Sequence, residues 1–313
     1  MTKILITGAG GQLGSELTDA LVSKYGSDAV IASDINEQAR SLFPGAIFET
    51  LDVTDHLAMK ALLEKHQISQ IYHLAAILSA TAEKKPLLAW QINMDSLLSI
   101  LELAREKKLE KVYWPSSIAV FGPNSPRTHT PQNCIQEPQT AYGISKQAGE
   151  RWCNYYFQKY GVDVRSLRYP GLIGYKSLPG GGTTDYAVDI YHHAVRKTPF
   201  TCFLKEDTAL PMMYMPDAIR ATMELMDAPK ERIKIRSSYN ISSLSFTPKE
   251  IFRSILMHNP KFEITYCPDF RQEIADGWPQ SIDDSDAVAD WGWKPAYDLP
   301  RMTQDMLANL TLK

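Results

Sequence analysis

Cysteine is scarce in this sequence, and its few cysteines stand far apart. Cys134, Cys153, Cys202 and Cys267 form no C-x-x-C pair. That argues against a structural zinc site and against a secreted disulfide framework. Thiols that stay reduced fit a cytoplasmic location, which is the expectation. A basic surplus is missing too: 33 Lys and Arg face 36 Asp and Glu, for a net charge of -3. Nothing is there to drive phosphate-backbone binding, so nucleic acid is not an expected partner. No apolar run reaches the roughly 20 residues of a membrane helix, so no membrane partner is expected either. The opening residues run straight into a strand pattern, so no signal or transit peptide is expected. What remains is an ordinary globular composition, 44% hydrophobic and 22% charged over 313 residues. Such a chain can bury a large core without staples.

The first 170 residues alternate short apolar runs with helical patterns. Strands are predicted at Lys3–Thr7, Ala29–Ser33, Ile47–Leu51, Gln70–His73, Lys111–Pro115 and Asp163–Arg168. Each is short and apolar or β-branched, as fully buried parallel strands are. Helices are predicted near Gln12–Lys24, His56–His66, Leu88–Lys107 and Thr140–Tyr160. Alternation of this kind means βαβ units on one parallel sheet, a doubly wound, Rossmann-like α/β fold. The expected division is 1–170 as the dinucleotide-binding domain and 171–313 as a smaller mixed α/β substrate cap, interleaved with the sheet. In the second part helices are predicted at Asp217–Asp227, Pro248–His258 and Pro300–Leu310, and strands at Ser238–Ile241 and Phe262–Tyr266.

Gly8, Gly11 and Gly14 follow the first strand and open the first helix. A pyrophosphate must approach backbone N–H groups at a helix N-terminus closely, and glycine permits both the turn and the approach. The spacing is G-x-x-G-x-x-G rather than the G-x-G-x-x-G of the dinucleotide fingerprint, since position 13 is leucine. The strand before and the helix after give the triplet its weight. Asp34 ends the second strand 20 residues after Gly14. A carboxylate there suits the adenosine ribose hydroxyls and would repel a ribose phosphate. Ile35 and Asn36 follow, with no arginine before Arg40, so NAD is favoured over NADP. Asp52 and Val53, after the third strand, are candidates for contact with adenine.

Tyr142 and Lys146 are four apart at the start of a predicted helix and share one face. A free tyrosine titrates near pH 10, too high for a base at neutral pH, and a nearby ammonium favours the phenolate. The pair suits removal of a proton from a substrate hydroxyl. Ser116 and Ser117 follow the strand Lys111–Pro115, at the carboxyl end of the sheet where open α/β folds bind ligands. Either hydroxyl can donate to a reacting oxygen, or simply cap a turn. Arg168 and Asp185 are available to hold the charges of a small zwitterion. His192-His193 lacks metal-ligand spacing, the Asp283–Asp286 cluster reads as helix capping, and the Met212–Met215 run reads as core filler.

The glycine loop Thr7–Gly14, the run Ser116–Gly122 and the Tyr142/Lys146 pair resemble the extended short-chain dehydrogenase/reductase family, also known as the NAD-dependent epimerase/dehydratase family. The segments Ala75–Ala80, Tyr142–Trp152, Gly180–Tyr191, Leu210–Asp217, Phe270–Gln272 and Ser281–Ser285 look like the L-threonine 3-dehydrogenase group within it. This resemblance covers nearly the whole chain. It implies a metal-independent oxidation of the β-hydroxyl of L-threonine to 2-amino-3-oxobutanoate, with NAD as oxidant. By position it makes Tyr142 the base, Lys146 its partner and ribose ligand, and Ser117 the hydroxyl donor. It assigns substrate contacts to Ser79, Ser116, Thr183, Thr184 and Asp185, and makes the Pro179–Thr184 loop a candidate lid. Gln12 and Leu13 of the loop, Leu74, Ala75, Ala76, Asn93, Tyr169 and Leu172 match cofactor-binding segments. Family members commonly pair through the helices here predicted at Leu88–Lys107 and Thr140–Tyr160, so a homodimer is expected. The alternatives are a nucleotide-sugar epimerase or dehydratase of the same family, and a non-catalytic NAD sensor.

Overall fold

The structure is a computed structural model that describes residues 2–178, 180 and 182–311. In chain order the first half holds β1 (Ile4–Thr7), α1 (Gln12–Tyr25), β2 (Val30–Asp34), β3 (Ile47–Thr50), α2 (His56–His66), β4 (Gln70–His73), α3 (Ser79–Lys84), α4 (Pro86–Trp90), α5 (Ser96–Lys107), β5 (Lys111–Tyr113), β6 (Ser116–Ser117) and α6 (Ala141–Tyr160). The second half holds β7 (Val164–Arg165), β8 (Leu167–Tyr169), β9 (Gly171–Ile173), α7 (Tyr186–Arg196), β10 (Phe200–Cys202), β11 (Leu210–Tyr214), α8 (Met215–Asp227), β12 (Tyr239–Asn240), β13 (Leu244–Phe246), α9 (Pro248–Leu256), β14 (Ile264–Tyr266), α10 (Arg271–Asp276), α11 (Ser285–Trp291) and α12 (Leu299–Thr311).

The chain divides into two compact units. One comprises 1–116, 140–168 and 221–239; the other comprises 117–139, 169–220 and 240–313. The first unit is built on a six-stranded sheet in the order β3-β2-β1-β4-β5-β7. Every pairing in it is parallel. The order reverses between β1 and β4, which makes a doubly wound sheet with a switch point at that junction. The register explains the core. Ile31, Leu5, Ile71, Val112 and Val164 stand in one row across five strands. They pack with Met59, Leu62 and Leu63 of α2, Leu97, Ile100 and Leu101 of α5, and Cys153 and Tyr156 of α6 in one cluster. Apolar burial on this scale is the main stabilising term of such a fold.

Two elements differ from the sequence expectation. The helix predicted over Leu88–Lys107 is interrupted: α4 begins with Pro86 in its first turn, a single π-turn spans Gln91–Asp95, and α5 follows. The π-turn carries Asn93, whose side chain accepts from the Ile77 N–H at 2.8 Å and donates to the Ile77 carbonyl at 3.1 Å. The strand predicted over Asp163–Arg168 breaks at Ser166. The Ser166 carbonyl accepts from Tyr239 N at 2.9 Å, and its hydroxyl pairs with that of Ser238.

In the second unit β11 pairs in parallel with β9 and antiparallel with β13, and β10 pairs with β14. Helices α7, α9 and α12 meet at Thr303, whose hydroxyl lies 2.7 Å from both Tyr191 Oη and Ser254 Oγ. Met212, Met213 and Met215 are buried core, as expected. Asp283 accepts from the Ser285 N–H, but Asp284, at the start of α11, accepts from Ser242 rather than capping its own helix.

Candidate active site

The glycine loop owes its sequence to close backbone approaches. Gly8 has φ +69°, and a Cβ on it would lie 2.6 Å from Ala75 N, where β4 runs out. A Cβ on Gly14 would overlap the Gly8 carbonyl and Ala9. Gly11 differs: its Cβ would meet only the Gly8 carbonyl, at 3.3 Å. Gly11 is also the N-cap of α1, and it offers no side chain to cap the helix. The N-terminal end of α1 thus has its partial positive charge and no side-chain cap, an arrangement that can receive an anion. Gln12 and Leu13 open the helix, both half-buried.

Gly10 was not among the residues singled out from sequence, yet it ties the loop to β2. Its N–H donates to Asp34 Oδ2 at 2.9 Å, while Asp34 Oδ1 accepts from Asn36 N at 3.0 Å. A Cβ on Gly10 would crowd Ala39 and Asp34. These residues border a cleft of about 500 Å³ lined by Gly10, Gly11, Asp34, Asn36, Gln38, Ala39, Ser41 and Leu42. Asp34 is half-buried and Ile35 exposed beside it. The Asp52 carboxylate is engaged by the N–H and hydroxyl of Thr54, and Val53 is buried in the core cluster. Leu74, Ala75 and Ala76 continue from β4, half-buried, beside the loop.

Thr140 caps α6 by accepting from Gly143 N at 3.0 Å. Glu83 of α3, the helix that Ser79 begins, accepts from Ala141 N at 2.7 Å. This fixes the first turn of α6 and so places Tyr142, with Lys146 one turn on. Lys146 Nζ lies 5.5 Å from the Tyr142 ring centre and 4.4 Å from that of Trp114. It donates to the Pro115 carbonyl at 2.6 Å. Burial draws its pKa from 10.5 down to about 7, against the raising influence of the Glu150 carboxylate. Asn93 reaches the same helix through Ser145 Oγ, at 3.4 Å. The fold places Tyr142, Lys146, Asn93 and the glycine loop in one compact unit.

The two serines part company. The Ser116 hydroxyl is buried and donates to Glu150 Oε1 at 2.6 Å. Ser117 Oγ, half-buried, accepts from Ala119 N at 3.2 Å and keeps its own proton to donate. Arg168 is not a free carboxylate clamp, because Glu150 holds its guanidinium in a bidentate pair. The Glu150 connection gave no sequence signal, since acids on helices are mostly solvated.

In the second unit Tyr169 and Thr183 are buried, and Leu172, Thr184 and Asp185 half-buried. Asp185 accepts from Gly182 N at 2.8 Å, closing the turn before α7. Pro179 and Gly181 of the expected lid lie outside the described residues. Among the described residues no three His, Cys, Asp or Glu side chains are grouped to hold a metal. No helix there is long and apolar enough to cross a membrane.

The chain is similar to known proteins along nearly its whole length. The model of the NAD dependent epimerase/dehydratase family matches residues 4–242. An uncharacterized epimerase/dehydratase of Staphylococcus saprophyticus is 50% identical over 98% of this chain and 96% of its own length. Among solved structures, a GalE-like L-threonine dehydrogenase from Cupriavidus necator, in its holo form, is 59% identical. It superposes with a TM-score of 0.97 over 98% of this chain and 99% of its own. A monomeric L-threonine 3-dehydrogenase from a metagenome, in apo form, is 48% identical, with a TM-score of 0.95 over 99% of both chains.

Proposed function

The chain belongs to the NAD dependent epimerase/dehydratase family, and from that premise we propose that it oxidises the β-hydroxyl of L-threonine to 2-amino-3-oxobutanoate. NAD is its cofactor, and when bound it accepts the hydride. The observation that carries the reading is the Tyr142/Lys146 pair, set one turn apart at the capped start of α6. Full-length likeness to enzymes named for L-threonine supports the choice of substrate.

In this reading Tyr142 takes the proton of the substrate hydroxyl as the C–O bond becomes a carbonyl. Lys146, as ammonium, favours the phenolate and holds the nicotinamide ribose. Ser117 donates to the reacting oxygen. Ser79, Thr183, Thr184 and Asp185 hold the ammonium and carboxylate of the amino acid. The first unit carries most of the residues read as cofactor contacts. Its Gly8-to-Gly14 loop receives the pyrophosphate and Asp34 the adenosine ribose, while Leu74–Ala76, Asn93, Tyr169 and Leu172 complete the cofactor contacts.

The test is NAD reduction, followed optically, with L-threonine, D-threonine and L-serine, beside chromatography of a UDP-sugar incubated with the protein, since epimerisation returns the hydride and leaves no net NADH. Turnover of L-threonine far above the others is expected. Folded, NAD-binding protein that leaves L-threonine untouched and converts the UDP-sugar would replace this reading with epimerase chemistry.

A further inference from the structure

A buried ion pair in the first unit takes no part in the chemistry assigned above. Glu150, on α6 one turn beyond Lys146, is 1% exposed, and Arg168 of β8 is 4% exposed. Arg168 Nε donates to Glu150 Oε1 and Nη2 to Oε2, each at 2.8 Å. Oε1 also accepts the Ser116 hydroxyl at 2.6 Å. Desolvating two charges costs several kcal/mol per ion, and an apolar pair of similar volume often stabilises a fold as well or better. Stability is therefore a weak reason for this arrangement. Its placement is a stronger one. A single carboxylate joins the helix of Tyr142 and Lys146 to Ser116, the residue before Ser117.

We propose that Glu150 is a positioning residue for the reaction: anchored by Arg168, its carboxylate fixes the Ser116 hydroxyl, and with it the strand leading into Ser117, and sets a negative charge one turn from Lys146. The proposal rests on the reading that Lys146 and Ser117 act in the oxidation. A carboxylate suits the task because it can accept from Arg168 and Ser116 together, which no donor side chain does. The surroundings of Lys146 leave Glu150 a distinct electrostatic part. Its neighbours are the Trp114 and Tyr142 rings, the Pro115 carbonyl, the Cys153 thiol and His73. Burial works against the ammonium and Glu150 works for it, while Cys153, its thiol pushed far up by burial, stays uncharged. His73 and the rings bring no negative charge.

The test follows Lys146 directly, with lysine labelled by ¹³C at Cε and the resonance assigned through Lys146→Arg. In Glu150→Gln the titration midpoint of Lys146 is expected to fall by about one pH unit. Turnover of L-threonine is expected to fall at least about tenfold, with NAD affinity, read by fluorescence, changed far less. Ser116→Ala, which removes the donated bond with little change of volume, should lower turnover in the same sense and leave the Lys146 midpoint in place. Should Glu150→Gln fail to fold, Glu150→Gln/Arg168→Gln removes both buried charges and keeps polar partners. It should recover stability but keep the lowered turnover, with the Lys146 midpoint between those of the single variant and the wild type, because the Arg168 cation is gone as well. Wild-type turnover in that double variant would reduce the pair to a structural ion pair and overturn the proposal. If the parent protein leaves L-threonine unchanged, the functional reading fails, and the Lys146 midpoint still decides for or against Glu150.

Discussion

His73 Nδ1 stands 2.7 Å from the Thr7 hydroxyl, and its Nε2 stands 2.9 Å from that of Ser96. Ser96 donates to the Ile92 carbonyl at 2.5 Å, so it can only accept from His73. The ring is therefore the neutral Nε2–H tautomer, with Nδ1 accepting from Thr7. This joins the residue before Gly8 to the start of α5. Burial, together with the charge of Lys146, lowers the His73 pKa from 6.5 to about 3.

A pH dependence follows. Between about pH 6.5 and 3 the unfolded chain binds a proton at His73 that the folded chain refuses. The contribution of neutral His73 is thus complete above pH 6.5 and is lost as pH falls toward 3. The loss amounts to about 1.4 kcal/mol per pH unit in the middle of that window. His73→Gln should lower stability at pH 7.5 by about 1–3 kcal/mol, through hydroxyls left unpaired. It should also flatten the decline on acidification. Urea unfolding of both proteins at pH 7.5, 6 and 5 checks this; parallel declines would show that His73 does not titrate as described.

Tyr142→Phe removes one oxygen from a half-buried ring and leaves the glycine loop untouched. Turnover of L-threonine should drop by roughly 10²–10⁴-fold, the range of general-base catalysis, with NAD affinity nearly constant. Turnover within a few-fold of wild type would remove Tyr142 as the base.

The glycines of the loop should separate in their effects. Gly14→Ala forces a Cβ into the backbone of Gly8 and Ala9 and should cost about 1–3 kcal/mol of stability. Gly11→Ala meets only a carbonyl at 3.3 Å. It should leave stability nearly unchanged and weaken NAD by tenfold or more, because the new methyl stands where the pyrophosphate approaches. Thermal melts beside NAD titrations distinguish the two; equal losses of stability would contradict the assignment of Gly11 to the ligand.

The parallel sheet was legible because its strands are buried on both faces and read as unbroken apolar runs. β4 and α2 have the bounds expected from sequence, Gln70–His73 and His56–His66. The Tyr142/Lys146 pair was legible because four-residue spacing survives folding into a helix. The π-turn at Gln91–Asp95 was not, since an apolar period of 3.6 continues across it with nothing to mark the extra residue. Nor was the bond from Gly10 to Asp34, which joins residues 24 apart. Glu150 and Arg168 are separated by 18 residues, and each alone resembles a surface charge. Such long-range polar pairings carry no local signature, and one of them engages the Ser116 hydroxyl.

Helices α4 and α6 pack together, and both turn large apolar side chains outward. Leu87, Leu88 and Trp90 are exposed on α4, and Ile144, Trp152, Tyr155 and Tyr160 on α6. The aromatics are ordered against one another. Trp152 meets Tyr155 edge-on at 5.6 Å, and Tyr155 meets Tyr160 edge-on at 6.0 Å. Rings held this way lose little freedom on burial, and Trp and Tyr are enriched at the centres of interfaces. A second copy of the chain is the expected occupant. Light scattering should give twice the 35.2 kDa chain mass, and Trp152→Glu, which places a charge among the rings, should give a single chain without loss of folding. The mass of one chain for the wild type at micromolar concentration would assign these rings to the surface of a monomer.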